Sequence, residues 1–324
     1  MTHSTEVKVP PFPLEHRASG LLLHVTSLPS PYGIGDLGPS AFSWVNLLHD
    51  AGQRWWQSLP LGPTGYGNSP YQPMSSFAGN ALVISPQSLI ADGLLREEDC
   101  ESNFPSGFVD YDAVIPFKTR LLQVAWKHFK SENRTDLRAE FDEFRNKHEH
   151  WLSDYALFRA LKAKYNGAYY LDWPDDIVQR RPDALAAARR ELADEIEQVS
   201  FAQFLLFRQG DRLKTYAHSK GVRLIGDLPF FVSPDSSDVR IRSYFFSMSA
   251  AGHASSQEFL PTTSVRKDNC GATPFTTGMH FERAVIGGRL TEYVLCLRTW
   301  MRFASTTSAD LRPPGMCPRT RQPL

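Results

Sequence analysis

Two groups of residues in this chain have the types and spacing to handle a ligand. The first is Tyr66, Ser69 and Tyr71, within residues 60–80 (PLGPTGYGNSPYQPMSSFAGN); the second is Asp227, in the run VRLIGDLPFFV. Residues 60–80 hold four Gly, four Pro, two Tyr and three Asn or Gln with neither a helical nor a strand period, so they read as loop. Flexible linkers are rich in Ser and Gly and poor in aromatics. This loop instead sets two tyrosines around Ser69 and Pro70, with Asn68, Gln72 and Asn80 close by. Flat rings pack on the C–H faces of a sugar, and short amides and hydroxyls bond its hydroxyl groups, so the loop suits a polyhydroxylated ring. A Pro-rich Ω-loop packed on itself has the same composition, and residue types alone leave both readings open. Asp227 follows a strand-like Val222–Ile225 at a Gly-Asp-Leu-Pro break. A carboxylate there either turns the chain or faces a ligand, and spacing does not separate the two.

These residues need elements to hold them. Gly20–Val25 (GLLLHV) is a short apolar run expected to be a strand buried on both faces. Ser40 is the expected N-cap of a helix through AFSWVNLLHDAG, with Phe42, Val45, Leu47 and Leu48 on one face and Gly52 closing it. A second strand at Arg54–Leu59 leads into the tyrosine loop. Strand, helix, strand, with a ligand-type loop after each strand, points to a parallel α/β fold whose ligands lie at the C-terminal strand ends. Residues 85–200 are mostly helical, clearest at Lys118–Phe129, Trp151–Tyr165 and Pro182–Gln198, and too long for one crossover. They read as a helical insertion subdomain. Trp151, Tyr155, Phe158, Tyr169, Tyr170 and Trp173 are candidate sugar platforms, but their helical spacing favours core positions. A further helix at Phe201–Ser219 feeds the Val222–Ile225 strand.

Bulk properties narrow the function. The 324 residues carry 35 basic and 35 acidic groups, which gives no electrostatic case for nucleic acid or an acidic membrane surface. No apolar run is long enough to span a bilayer, and no basic-then-apolar leader opens the chain. Cys100 is the one cysteine before residue 240, which excludes a disulfide framework there. A cytoplasmic enzyme fits. No metal-ligand spacing or phosphate-binding Gly loop occurs, so neither metal nor cofactor is expected. The even charge hides a split, because residues 240–324 hold eleven Lys and Arg against five Asp and Glu, and three of the four cysteines.

The run GPTGYGNSPYQ, preceded by LLLHVTSLPSPYGIGDLG at 21–38 and followed by IGDLPFFVSPDSSDV at 225–239, resembles amylomaltases. These are the 4-alpha-glucanotransferases of glycoside hydrolase family 77, and the resemblance covers about Gly20 to Val239. It implies the N-terminal part of a (β/α)8 TIM-type barrel and a maltodextrin or alpha-1,4-glucan substrate. It further implies a retaining double displacement between two carboxyl groups about 5–5.5 Å apart. By the same resemblance Tyr66, Ser69 and Tyr71 belong to the substrate-contacting loop and Asp227 is a supporting active-site carboxylate, not the nucleophile. One departure is Gly210, where amylomaltases usually carry an aromatic residue.

After Val239 the resemblance stops, and residues 240–324 keep no period and no turn logic. Codons started at the third base of the written ones permit Ala-Asn-Pro-Glu-Leu-Phe across Val239–Phe246. They permit Gln-Leu-Trp-Gly-Asn-Pro-Leu-Tyr-Asn-Trp-Asp-Ala-Phe across Asp268–Phe281, and Val-Asp-Ala-Val-Arg-Ile-Asp-His-Phe across Thr299–Ser308, anchored by Trp300 and Met301. All three are amylomaltase-like and in family order, so a frame break near Val239 is expected. The family's nucleophile lies in the last segment and its acid/base beyond it, so no catalytic residue is expected in frame. The expected organisation is a loose tail at 1–19, the barrel start at 20–84, the helical insertion at 85–200, a barrel helix and strand at 201–239, and a non-family tail at 240–324. Two functions remain open: the glucanotransferase, or a truncated, non-catalytic product with at most weak glucan binding.

Overall fold

Three short apolar runs pair as strands in a computed structural model that describes residues 17–132, 134–229 and 233–241, the side chains of Tyr66 and Ile241 excepted. β1 (Gly20–Leu22), β2 (Trp55–Gln57) and β3 (Arg223–Ile225) lie side by side in that order, all parallel. Their register is Leu21 opposite Trp56 and Trp56 opposite Leu224. Three parallel strands are the extent of the sheet among the described residues. The parallel arrangement expected for these runs is therefore found. The burial expected of β1 is not: all three of its residues are exposed, with Leu22 at 55%. As an edge strand β1 has a neighbour on one side only, and no described element covers its outer face.

Helix α1 (Pro39–Asp50) crosses from β1 to β2. It starts one residue before the expected cap, with Gly38 and not Ser40 at the N-cap, because Pro39 lacks an N–H to satisfy and is preset for the first helical turn. Ala41, Val45 and Leu48 make its buried stripe; Leu47 was expected on that face but points outward, being a turn of about 100° away from Leu48. A short helix α2 (Pro86–Ala91) is capped by the Ser85 hydroxyl, and α3 (Tyr111–Ser131) by Asp110, which accepts from the amides of Asp112 and Ala113. Then come α4 (Thr135–Lys164), α5 (Asp175–Val178), α6 (Pro182–Glu191) and the long α7 (Ala193–Ser219), which returns the chain to β3; α8 (Ser237–Ile241) follows. The helix expected over Pro182–Gln198 breaks at Leu192 (φ −104°, ψ 27°), and the one expected from Phe201 begins at Ala193. Leu192 is buried against the second apolar cluster, so packing sets this break.

The main core lies where α3, α4 and α7 meet. Trp126, Phe129, Phe141, Phe201 and Phe204 form a ring-on-ring cluster there, with Phe129 and Phe201 stacked at 4.4 Å between centroids. The second cluster joins Phe158 and Leu161 of α4 to Trp173, Ile177 and Leu192. Gly210 is buried in α7. Among the described residues one ion pair is buried at both ends: Lys118 lies 3.8 Å from Asp36 and donates to the Ile84 carbonyl at 2.8 Å, tying α3 to the loop after β1. Burial outweighs the pairing for both partners, lowering Lys118 to about 8 and raising Asp36 above the usual carboxylate range. No helix among the described residues is long and apolar enough to cross a membrane.

Candidate functional site

Because the strands are parallel, the loops after β1, β2 and β3 leave the sheet on one side. His24, at the end of β1, places its ring nitrogens near the Thr26 hydroxyl (2.6 Å) and the Pro60 carbonyl (3.3 Å), holding the entry of the tyrosine loop. Burial keeps its imidazole below the ordinary histidine pKa.

The loop over residues 60–80 has a frame of its own. The Gly65 amide donates to Gln72 O (3.1 Å), the Met74 amide to Pro63 O (2.9 Å) and the Asn80 amide to Leu61 O (2.7 Å), so its two limbs run back along each other. A side chain at Gly65 would place Cβ 2.9 Å from Gln72 O, which is why that limb needs glycine. At the tip, Tyr66–Asn68 form a 3-10 turn that Gly67 (φ +68°) and Asn68 (φ +54°) close in the left-handed region. Ser69 Oγ accepts the Tyr71 amide at 3.3 Å, which fixes the backbone that carries the ring.

Two anchors hold this frame to the body. Gln203 of α7 donates to Gly79 O (3.0 Å) and accepts from Gly79 N (2.8 Å), and Gln209 grips Ser85 in the same reciprocal way. On the other side, Asp238 accepts from Ser76 N (2.7 Å) and Ser75 Oγ (3.2 Å), while the amides of Ser233 and Ser237 donate to Pro73 O and Met74 O. None of Gln203, Gln209 and Asp238 stood out in the sequence. The available signal was two glutamines six residues apart in FAQFLLFRQG, where Arg208 is the one other polar residue.

The expected site residues are then placed as follows. The Tyr71 hydroxyl donates to Asp227 Oδ2 at 2.8 Å, across 156 residues of chain, with the tyrosine ring 47% exposed. That bond to a carboxylate, more than the slight burial, raises the phenol's pKa and keeps it protonated. Ser69 joins through the Tyr71 backbone. The backbone of Tyr66 lies in the tip turn; its side chain is outside the described residues. Two other carboxylates nearby serve structure: Asp238 as above, and Asp235 at 2.5 Å from Lys162 Nζ. Of the tail expected to read in another frame, residues 240–324, Arg240 and Ile241 end α8 and the rest, from Arg242 onward, lies outside the described residues. Tyr71 with Asp227 is therefore an exposed ring beside an anionic acceptor, a pair able to stack on a sugar and accept its hydroxyls.

Of the six aromatics weighed against a sugar-binding role, Trp151, Tyr155, Phe158 and Trp173 are buried core, Tyr170 is half-buried and Tyr169 is exposed.

Comparison with known proteins gives a consistent answer. The family described as 4-alpha-glucanotransferase matches residues 23–274, past the Val239 at which the resemblance was expected to stop. The 4-alpha-glucanotransferase of Thermus thermophilus is 44% identical over 236 residues, covering 73% of this chain and 47% of its own length. The chloroplastic/amyloplastic 4-alpha-glucanotransferase of Solanum tuberosum is 39% identical over 233 residues, or 70% and 40% of the two chains. The amylomaltase from Streptococcus agalactiae, solved in complex with acarbose, superposes with a TM-score of 0.68 at 34% identity, covering 72% of this chain and 48% of that one. The chain thus spans about half the length of the relatives it matches.

Proposed function

The chain belongs to the 4-alpha-glucanotransferase family, and from that premise we propose that residues 20–84 and 201–239 form the glucan-binding N-terminal part of a (β/α)8 barrel, with 85–200 as its helical insertion. The family reaction passes alpha-1,4-glucan segments between maltodextrins, and in a retaining version one carboxylate takes the glucosyl unit while a second protonates the leaving oxygen. In this reading Tyr71 stacks on a glucosyl ring, Asp227 accepts a hydroxyl from it, and Ser69 and Tyr66 shape the loop around it. No metal or cofactor enters, and the setting is cytoplasmic. The acarbose complex of the related amylomaltase supports a glucan-like ligand. The observation that carries the reading is the Tyr71–Asp227 hydrogen bond, which joins at one place two of the loops that carry the resemblance.

For the chain as written we propose binding without transfer, since the nucleophile's segment reads only in the shifted frame. The test is calorimetric titration of the full chain with maltotriose, followed by incubation and detection of released glucose. Binding should weaken at least five-fold in Tyr71→Ala and Asp227→Asn, and no glucose should appear. Equal affinity in both variants would remove the site, and glucose release by the purified chain that survives Asp227→Asn would remove the non-catalytic reading.

A further inference from the structure

Tyr71 and Tyr169 are the two exposed tyrosines among those whose side chains are described, at 47% and 37%. Tyr71 already has a role in the reading above, whereas Tyr169 has none. Its neighbours in sequence behave differently: Trp173 is core, and Tyr170 packs edge-on behind Tyr169 with centroids 5.2 Å apart. Tyr169 is thus braced by a second ring while part of its own surface stays open to solvent.

The loop that carries Tyr169 is rigid. It leaves α4 through Asn166 (φ +51°) and Gly167 (φ +78°), both left-handed. Lys162 Nζ donates to the carbonyls of Gly167 and Ala168, each at 2.8 Å, and the Trp173 indole N–H donates to Ala168 O at 3.2 Å. Lys162 also pairs with Asp235, whose other oxygen accepts the Tyr170 amide at 3.3 Å. The Asp235 amide bonds Ser233 Oγ, and the Ser233 amide bonds Pro73 O in the tyrosine loop. Both exposed tyrosines therefore stand on loops secured to the same segment, 233–238. Holding the ring in place beforehand removes entropy that a binding platform would otherwise lose when its ligand arrives.

We propose that Tyr169 is a further aromatic platform of the glucan-binding surface, taking a glucosyl ring of a chain that also contacts Tyr71 and Asp227. The inference rests on the reading of the Tyr71–Asp227 pair as a sugar site. Stacking would use the ring face, and the phenol remains a donor: burial first, then Tyr170, Asp235 and Asp172, push it up to about 12.

The full chain should be titrated with maltotriose and with maltoheptaose, in wild type and in Tyr169→Ala, Tyr169→Leu and Tyr169→Phe. Loss of one stacked ring is expected to weaken maltoheptaose about five-fold in the Ala and Leu variants, while Phe stays within two-fold of wild type. Maltotriose, short enough to be held at Tyr71 and Asp227 alone, should change less than two-fold in all three. Leu keeps apolar bulk without a flat face, so equal losses in Ala and Leu with retention in Phe separate stacking from loop collapse. Wild-type affinity for maltoheptaose in Tyr169→Leu overturns this inference while leaving the Tyr71 site standing, as does a loss in Phe equal to that in Leu. Absence of wild-type binding to either sugar overturns the underlying reading and this inference with it.

Discussion

The helical part of the molecule and its sheet are stabilised in opposite ways. Where α3, α4 and α7 meet, Trp126, Phe129, Phe141 and Phe201 are shut away from water and touch ring to ring. The three strands expose Leu21, Leu22 and Ile225. A helix satisfies its backbone internally and needs only one apolar stripe covered, whereas a strand depends on neighbours for both hydrogen bonds and burial. The candidate site sits on the sheet side but is held from the helical side, through Gln203 and Gln209 of α7. The geometry of the candidate site is thus set from a core outside it.

The sharpest way to break this contrast is to cut one large side chain from each region. Phe129→Ala should cost about 4 kcal/mol in urea unfolding, because it deletes a fully buried ring from a cluster unable to collapse. Leu22→Ala, on an exposed strand, should cost less than about 0.5 kcal/mol. Similar losses in both would show that the sheet is as well packed as the helices.

Next in size is the clamp between the regions. Gln203→Leu keeps volume but strands the Gly79 N–H and C=O, each previously bonded. An unsatisfied buried group costs about 1–3 kcal/mol, so a loss near 2 kcal/mol is expected, together with weaker maltotriose binding as the tyrosine loop loosens. Unchanged binding in a destabilised Gln203→Leu would show that the loop's own hydrogen bonds suffice.

A gain is expected at Arg240. Its side chain is 3% exposed, all three guanidinium nitrogens lack hydrogen-bond partners, and Trp173 lies beneath it at 5.5 Å. Burial, with Arg180 nearby, drags its pKa down to about 10. Asp154 attracts it through space, yet among the described residues no acceptor bonds it, unlike Asp238 two positions earlier. Arg240→Leu should stabilise by about 1–2 kcal/mol in thermal or urea unfolding. Destabilisation would reveal a partner for this guanidinium.

The smallest effect is pH-dependent. Burial depresses the His24 pKa in the folded state below its unfolded value of about 6.5, so the unfolded chain takes up a proton that the folded chain resists. This contribution is complete above about pH 6.5 and is lost as pH falls through the lower folded value. His24→Gln should flatten the decline in melting temperature between about pH 7 and pH 5, by less than about 1 kcal/mol. A slope identical to wild type would place the acid sensitivity elsewhere.

Much of the fold was legible because it is local. Alternating strand and helix signals over residues 20–60, Gly52 ending α1, and the loop character of residues 60–80 each follow from side chains within a few turns of one another. Small errors arose where a neighbouring residue outweighed the pattern, as with Pro39 moving the start of α1 ahead of Ser40. The residue types of the site were also legible, since Tyr71 and Asp227 each stood out in a loop after a strand.

What the sequence by itself determined, then, is the three strands, the main helices, the loop character of residues 60–80 and the kinship. Only the tertiary structure decided that the Tyr71 hydroxyl meets Asp227, that Asp238 receives the Ser76 amide, and that Tyr169 alone among six aromatics faces solvent. It also decided that Arg240 is buried with no hydrogen-bond acceptor among the described residues and that β1 is exposed. The physical reason is one of range. Periodicity and capping act between residues a turn or two apart and leave a mark in the order of the letters. Hydrogen bonds and burial between segments 150 residues apart depend on how the helices and strands dock, and no spacing along the chain records that.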